Sequence, residues 1–141
     1  MKAFGATVGW LVLVAVVSYA AGVEQGQRLT AGRVFELRAY TAAPGKMDAL
    51  NARFREHTAK LFEKHGMSNI GYWNPADLKE AGNKLVYLLA FPSQEAADAS
   101  WKAFRADPEW KTVQKASEQN GKLVTKVESV FLKPTDYSPL K

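Results

Sequence analysis

The stretch that most constrains the fold is Lys84–Phe91, whose alternation is typical of a β-strand. Both of its faces are apolar: Leu85, Tyr87, Leu89 and Phe91 point one way, and Val86, Leu88 and Ala90 point the other. A strand of this kind belongs in a sheet that is covered on both sides. One layer of helices covers only one side, so a second sheet, from this chain or from another copy, must cover the other.

Strand and helix patterns alternate through the rest of the chain and predict an α+β fold. The predicted elements, in order, are a strand (35–40), a helix (44–66), two strands (67–73 and 84–91), a helix that restarts at Asp107 (92–120) and a strand (122–133). This order is that of the ferredoxin-like split βαβ fold, a four-stranded antiparallel sheet with helices on one face. Because the bare face would be apolar, we expect two copies to pack sheet to sheet as a dimeric α+β barrel.

The first 22 residues predict an export segment. After Lys2, residues 3–22 carry no charge, and small residues at Ser18 and Ala20 suit signal-peptide cleavage. A run of about 20 uncharged residues also suffices to cross a bilayer, so an uncleaved membrane anchor is the alternative. Both interpretations place the domain outside the cytoplasm, as a periplasmic, secreted or membrane-anchored protein. Residues 23–32 then form a linker, 33–135 the barrel domain and 136–141 a tail.

Composition excludes several classes of function. The chain has no cysteine, which excludes disulfides, thiolate catalysis and iron–sulfur ligation. Its net charge is +5, but basic and acidic residues are interleaved, so we expect no nucleic-acid binding and membrane contact only through the N-terminal segment. No glycine-rich phosphate loop or nucleophile elbow is present, and we expect no cofactor.

The first predicted strand carries the best candidate for a polar site. Phe35, Leu37 and Ala39 share one face, which we expect to join the core, while Glu36, Arg38 and Tyr40 share the other. An arginine binds a carboxylate or enolate oxygen, a phenol donates a hydrogen bond and a glutamate accepts a proton. If the first and last strands pair, we expect Lys126 and Glu128 to lie opposite this polar face. The alternative is a cross-strand ion network at the dimer interface, with no ligand.

Two histidines complete the set of titratable candidates. His57 and His65 lie eight residues apart on one predicted helix, about 12 Å along its axis, so they do not chelate one metal ion. We therefore predict no metal site. His57 lies at the margin of the apolar stripe, where it faces either the cavity or solvent. His65, in the last turn, is better explained as a helix C-terminal charge.

Aromatic residues supply the apolar part of a possible pocket. Trp101, Phe104 and Trp110 have helical spacing and are expected in the core. Tyr72 and Trp73 are adjacent in a predicted strand, so one of the two should face the barrel interior. An aromatic wall beside Arg38 would suit a small, flat, apolar ligand with an anionic end.

These motifs resemble the NIPSNAP family, a branch of the dimeric α+β barrel proteins, from Arg33 to about Thr135. The residues that carry the resemblance are Phe35–Tyr40, Pro44–Lys46, Lys64–Gly66, Gly71–Trp73, Trp101–Phe104 and Asp107–Trp110. The resemblance implies a homodimer with a cavity between sheet and helices in each subunit. It implies no catalytic mechanism, and the export segment argues against an intracellular trafficking role.

Three functional hypotheses follow, and the sequence leaves open whether the protein is an enzyme. The first is a barrel protein that binds a small hydrophobic or aromatic molecule outside the cytoplasm, with pocket candidates Glu36, Arg38, Tyr40, His57, Tyr72 and Trp73. The second is a cofactor-independent monooxygenase- or isomerase-like enzyme, which requires Arg38, Tyr40 and His57 to converge on one cavity. The third is a structural or partner-docking dimer without catalysis.

Overall fold

Four strands form one antiparallel sheet, which fixes the position of every candidate residue. The computed structural model describes residues 33–77 and 83–141, so the predicted export segment and linker lie outside the described residues. The strands are β1 (Val34–Ala42), β2 (Ser68–Trp73), β3 (Lys84–Phe91) and β4 (Val124–Leu132), in the spatial order β2-β3-β1-β4. All three neighbouring pairs are antiparallel, which confirms the ferredoxin-like α+β fold.

The helices form a layer on one face of this sheet. They are α1 (Met47–Arg53), a π-helical turn (Phe54–Thr58), α2 (Ala59–Lys64), α3 (Gln94–Ala106) and α4 (Pro108–Ser117). No helix within residues 33–77 and 83–141 is long and apolar enough to cross a membrane.

The first helical segment differs from the continuous helix that its spacing predicts. Its middle is the π-helical turn, in which the Thr58 hydroxyl donates to the Arg53 carbonyl five residues earlier at 3.2 Å. Spacing predicts an apolar stripe of Met47, Leu50, Phe54, Thr58, Leu61 and His65. Its four middle members are buried, and Met47 and His65 at its ends are partly exposed. The wider turn shifts the helical phase, and the residue after Leu61, Phe62, is also buried.

Tyr87 of β3 identifies which face of the sheet meets the helices. Its ring lies 5.2 Å from that of Phe54 and 5.9 Å from that of Phe62, both in the helical layer. Arg38 pairs with Tyr87 across β1 and β3, so the polar side chains of β1 also face the helices. The Phe35 face of β1 therefore points away from the helices, although Phe35 itself is only 5% exposed.

The pairing of the first and last strands is confirmed, but its register corrects a second expectation. Arg38 pairs with Ser129, whereas Lys126 pairs with Thr41 and Glu128 with Ala39. Side chains of paired residues share a face, so the two charged residues of β4 lie on the sheet face away from the helices. They do not line the polar face of β1.

The core between sheet and helices is rich in aromatic rings. Its buried members are Val34, Ala42, Leu50, Phe54, Leu61, Phe62, Met67, Leu85, Tyr87, Leu89, Phe91, Ala97, Trp101, Phe104 and Leu123. Many of the rings meet edge to face, as Phe62 and Trp101 do at 5.3 Å. The predicted core positions Trp101 and Phe104 are confirmed, and Trp110 packs against the cluster from its edge.

Asp107 ends α3 and begins α4, as the sequence predicts. Its carboxylate accepts the backbone N–H of Glu109 at 2.7 Å, and Pro108 occupies the first helical turn. The same carboxylate accepts from Lys64 at 2.9 Å and lies 2.7 Å from His65 Nε2. Hydrogen bonds from Lys64 and His65 hold the pKa of Asp107 well below its ordinary value. His65 therefore contacts the junction between α3 and α4, and it also lies at the C-terminal end of α2.

Replacing Asp107 by Asn should destabilise the fold in a pH-dependent way. Because the pKa of this carboxyl is lowered in the folded state, its stabilisation is complete above the ordinary value of 3.8 and is lost as the pH falls below it. The melting temperature of the wild type should therefore exceed that of Asp107→Asn near neutral pH, and the gap should narrow below about pH 4. The control Glu109→Gln alters an exposed partner of Lys64 and should shift the melting temperature little. A difference in melting temperature between the wild type and Asp107→Asn that stays constant down to about pH 2.5 would contradict this explanation.

Candidate functional site

Glu36 lies at the centre of the polar face of β1 and is 1% exposed. One carboxylate oxygen accepts from Arg38 Nη1 and from the Ser129 hydroxyl, both at 2.5 Å. The other accepts from the indole N–H of Trp101 at 2.5 Å. Donors from β1, β4 and α3 therefore replace the water that a buried carboxylate loses. With both oxygens engaged by the protein, Glu36 is a structural anchor rather than a proton acceptor for a ligand.

Arg38 connects this anchor to two tyrosines. Its guanidinium carbon lies 4.3 Å from the Trp101 ring centroid and 5.6 Å from that of Tyr40. Burial acts to lower the pKa of Arg38, but Tyr87, Tyr40 and Glu36 raise it above its ordinary value. Burial also raises the pKa of Tyr87, so at neutral pH Arg38 is charged and Tyr87 is neutral. Arg38 Nε and the Tyr87 hydroxyl are both buried.

A cleft of about 300 Å³ opens between the helices and the β4 side of the sheet. Its wall is built from five aromatic side chains: Tyr40, Phe54, Phe62, Phe104 and Trp110. Its polar and charged lining comes from Arg53, Thr58, Gln114, Glu118, Lys122, Thr125 and Lys126, with Val124 and Val127 completing the β4 side. A concave surface with aromatic walls and a few polar groups is typical of a small-molecule site.

Arg53 is the buried charge of this cleft. Its side chain is only 4% exposed, and its guanidinium carbon lies 5.2 Å from the Trp110 ring centroid. Nη1 donates to Ser117 Oγ at 3.3 Å and to Glu118 Oε1 at 3.1 Å. Nε is buried and has no hydrogen-bond partner. The cleft therefore contains a guanidinium with unused donor capacity.

Tyr72 and Trp73 point to opposite faces of the sheet, as their adjacency predicts. Tyr72 faces the helices, stacks on Tyr87 at 5.6 Å and lines a second cleft of about 250 Å³ with Asn51 and Arg55. Burial raises the pKa of Tyr72 above its ordinary value. Trp73 lies on the face away from the helices and is 52% exposed. Of the two, Tyr72 is the one that enters the helix-side interior.

His57 is separated from the polar face of β1. Its side chain is 49% exposed, and its nearest ionic partner is the neighbouring Glu56 at 4.0 Å. It lines a groove between α1 and α4, whereas Tyr40 lines the cleft beside β4. The structure therefore brings Glu36, Arg38 and Tyr40 together but leaves His57 outside. Residues 33–77 and 83–141 contain no group of three or more His, Asp or Glu side chains placed to hold a metal ion.

Among the residues of the site that were not identified from the sequence, two carried a signal. Arg53 follows Leu50 by three residues and precedes Phe54, which places its side chain at the edge of the apolar helix stripe. Tyr87 carries the only polar side-chain atom on its face of Lys84–Phe91. In both cases a polar group within an apolar pattern marked the helix-side interior.

Comparison with known proteins connects this architecture to one family. The NIPSNAP family model matches residues 35–139. A NIPSNAP family protein of unknown function from Agrobacterium tumefaciens has a similar structure, with a TM-score of 0.67 and 22% identity over 78% of this chain and 95% of that one. A NIPSNAP-like domain protein from Burkholderia xenovorans has a TM-score of 0.65 and 20% sequence identity, over 76% of this chain and 89% of that one.

The same fold extends to a more distant protein. A putative antibiotic biosynthesis monooxygenase from Chloroflexus aurantiacus gives a TM-score of 0.50 and 19% identity, over 78% of this chain and 100% of that one. At such identities the structural likeness shows the fold alone. No curated protein has a matching sequence.

Replacing Glu36 by Gln should lower the free energy of unfolding by about 3 kcal/mol, because it leaves the buried Arg38 charge without its counter-ion. Urea unfolding at neutral pH measures the change. The control Glu128→Gln removes a carboxylate from an exposed pair with Lys126 and should have little effect. Equal effects of the two substitutions would show that the Glu36 network does not stabilise the fold.

Proposed function

This chain belongs to the NIPSNAP family, and we propose that it binds a small, flat, apolar molecule in the cleft beside β4. The observation that carries the proposal is the continuous aromatic wall of that cleft. Ring edges and faces are both presented, as Tyr40 and Phe54 meet edge to face at 5.9 Å. The volume lies at the small end of the range for ligand pockets, which suits a molecule of one or two rings.

A monooxygenase- or isomerase-like activity is the alternative, and the geometry supports it less well. It requires Arg38, Tyr40 and His57 around one substrate, but His57 lines a groove that shares Arg53 with the cleft and includes neither Arg38 nor Tyr40. Glu36, the nearest carboxylate to Arg38, has both oxygens engaged by protein donors. The fold shared with the Chloroflexus protein does not by itself carry that protein's activity to this chain.

The proposal includes a homodimer. On the sheet face away from the helices, Trp73, Val130 and Leu132 are 52%, 49% and 41% exposed. The alternating apolar residues of β3 add to this face, which we name the open face. A second copy packed on the open face would remove its apolar surface from water. This arrangement also meets the requirement that both sides of Lys84–Phe91 be covered.

The proposal places the domain outside the cytoplasm. Its support is the uncharged stretch over residues 3–22 that follows Lys2. A leader of this kind is cleaved to give a periplasmic or secreted protein, or is retained as an anchor. The absence of cysteine is compatible with either outcome, because the core of residues 34–123 needs no disulfide to be buried.

In the first test of the ligand proposal, a substitution introduces a large side chain that fills the cleft. Gln114→Trp places a large side chain at an exposed position that lines the cleft, and it should weaken binding of the neutral probe 2-naphthamide at least about tenfold. Isothermal titration with the full-length protein measures the affinity. The control Lys115→Trp introduces the same side chain at the next residue of α4, which does not line the cleft. It should bind 2-naphthamide as tightly as the wild type does. Equal loss in both variants, or no binding by the wild type, would contradict the proposed site.

The homodimer has its own test. Val130→Arg places a charge on the open face and should convert the dimer to a monomer in sedimentation equilibrium, because burying an unpaired charge is unfavourable. Val127→Arg is the matched control, since Val127 is equally exposed on the same strand but lines the cleft on the opposite side. It should remain dimeric. A monomeric wild type, or equal dissociation of both variants, would exclude the open face as the interface.

A further inference from the structure

We propose that Arg53 recognises an anionic group, so that the ligand of the cleft is a ring-bearing carboxylate. The inference rests on the proposed function. It adds the chemical class of the ligand and the residue that binds the anionic group of the ligand. Neither follows from the aromatic wall alone, which would accept neutral and anionic rings equally.

The position of Arg53 carries the argument. Its side chain is 4% exposed yet contributes to the lining of the cleft. Water therefore has little access to the guanidinium, and its hydrogen bonds must come from the protein or from a ligand. Nη1 is used by Ser117 and Glu118, whereas the buried Nε has no partner. A carboxylate oxygen is the acceptor that suits an unused guanidinium N–H best.

The other arginine of the sheet–helix interface, Arg38, does not compete for this role. It is paired with Glu36 at 2.5 Å and is not among the residues that line the cleft. We therefore assign the binding of the ligand's anionic end to Arg53, and not to Arg38 as the sequence led us to expect. The charged lining agrees with this assignment: Lys122 adds positive charge to the cleft, and Glu118 supplies the only carboxylate among the lining residues.

The π-helical turn follows Arg53 directly and contributes residues to the same cleft. Arg53 is the last residue of α1, and its carbonyl accepts the Thr58 hydroxyl across the widened turn at 3.2 Å. Arg53, Phe54 and Thr58 all contribute to the cleft lining. Turns of this type often occur at functional sites, where they change which side chains a helix presents.

The experiment compares a carboxylate with its neutral isostere. Isothermal titration of the full-length protein with 2-naphthoate and 2-naphthamide should show the carboxylate bound about 10- to 100-fold more tightly, as expected for a charge-assisted hydrogen bond. Arg53→Met should abolish this preference and leave amide binding within about threefold of the wild type. Arg55→Met, which removes an arginine two residues along and outside this cleft, should keep the preference.

A second variant covers the case in which Arg53→Met fails to fold. Glu118→Gln removes the carboxylate that accepts from Arg53, so it should strengthen 2-naphthoate binding about threefold or more without changing 2-naphthamide binding. Equal affinity of the wild type for both probes would overturn the anion inference and leave the cleft proposal standing, as would unchanged naphthoate binding in Glu118→Gln. Failure of both probes to bind the wild type would overturn both.

Discussion

The buried carboxylate of Glu36 is the interaction on which the arrangement of the other elements depends. Its three donors come from Arg38 on the same strand, Ser129 on the edge strand and Trp101 on α3. A carboxylate taken out of water costs several kcal/mol unless such donors replace its hydration. The helix layer and β4 must therefore both be in register with β1 before the charge is satisfied. The cleft lies between those two elements, so its shape follows from the same constraint.

Two arginines of this domain, Arg53 buried and Arg38 mostly buried, have different surroundings and therefore different uses. Arg38 faces a carboxylate that is itself enclosed, so the pair is neutral and contributes to the structure of the sheet–helix interface. Arg53 faces Glu118, whose side chain is 22% exposed and belongs to the lining of an open cleft. A charge pair at the edge of a cleft is open to exchange with a ligand, whereas an enclosed pair is not. The sequence shows two arginines, but only the different exposure of their partners, Glu36 and Glu118, separates their roles.

The parts of the fold that rest on local chemistry were predictable from the sequence. The two apolar faces of Lys84–Phe91 and the helix start at Asp107–Pro108 are examples, since alternation and capping act within a few residues. The inward face of β1 was not predictable, because alternation separates two faces without saying which one is buried. Glu36 becomes compatible with burial only through Trp101, 65 residues away in sequence. The π-helical turn is likewise invisible to a spacing rule that assumes one helical period.

The edge strand β4 links the proposed ligand site to the proposed dimer interface. Val127 lines the cleft, while Val130, three residues along, lies on the open face, because successive side chains of a strand alternate. A second copy packed on the open face would restrain the same backbone that forms one wall of the cleft. A ligand in the cleft would restrain it from the other side. Each event then reduces the conformational entropy that the other must remove, and the effect is reciprocal by thermodynamic linkage. In the proposed dimer, the affinity of the cleft for its ligand would therefore depend on the partner copy.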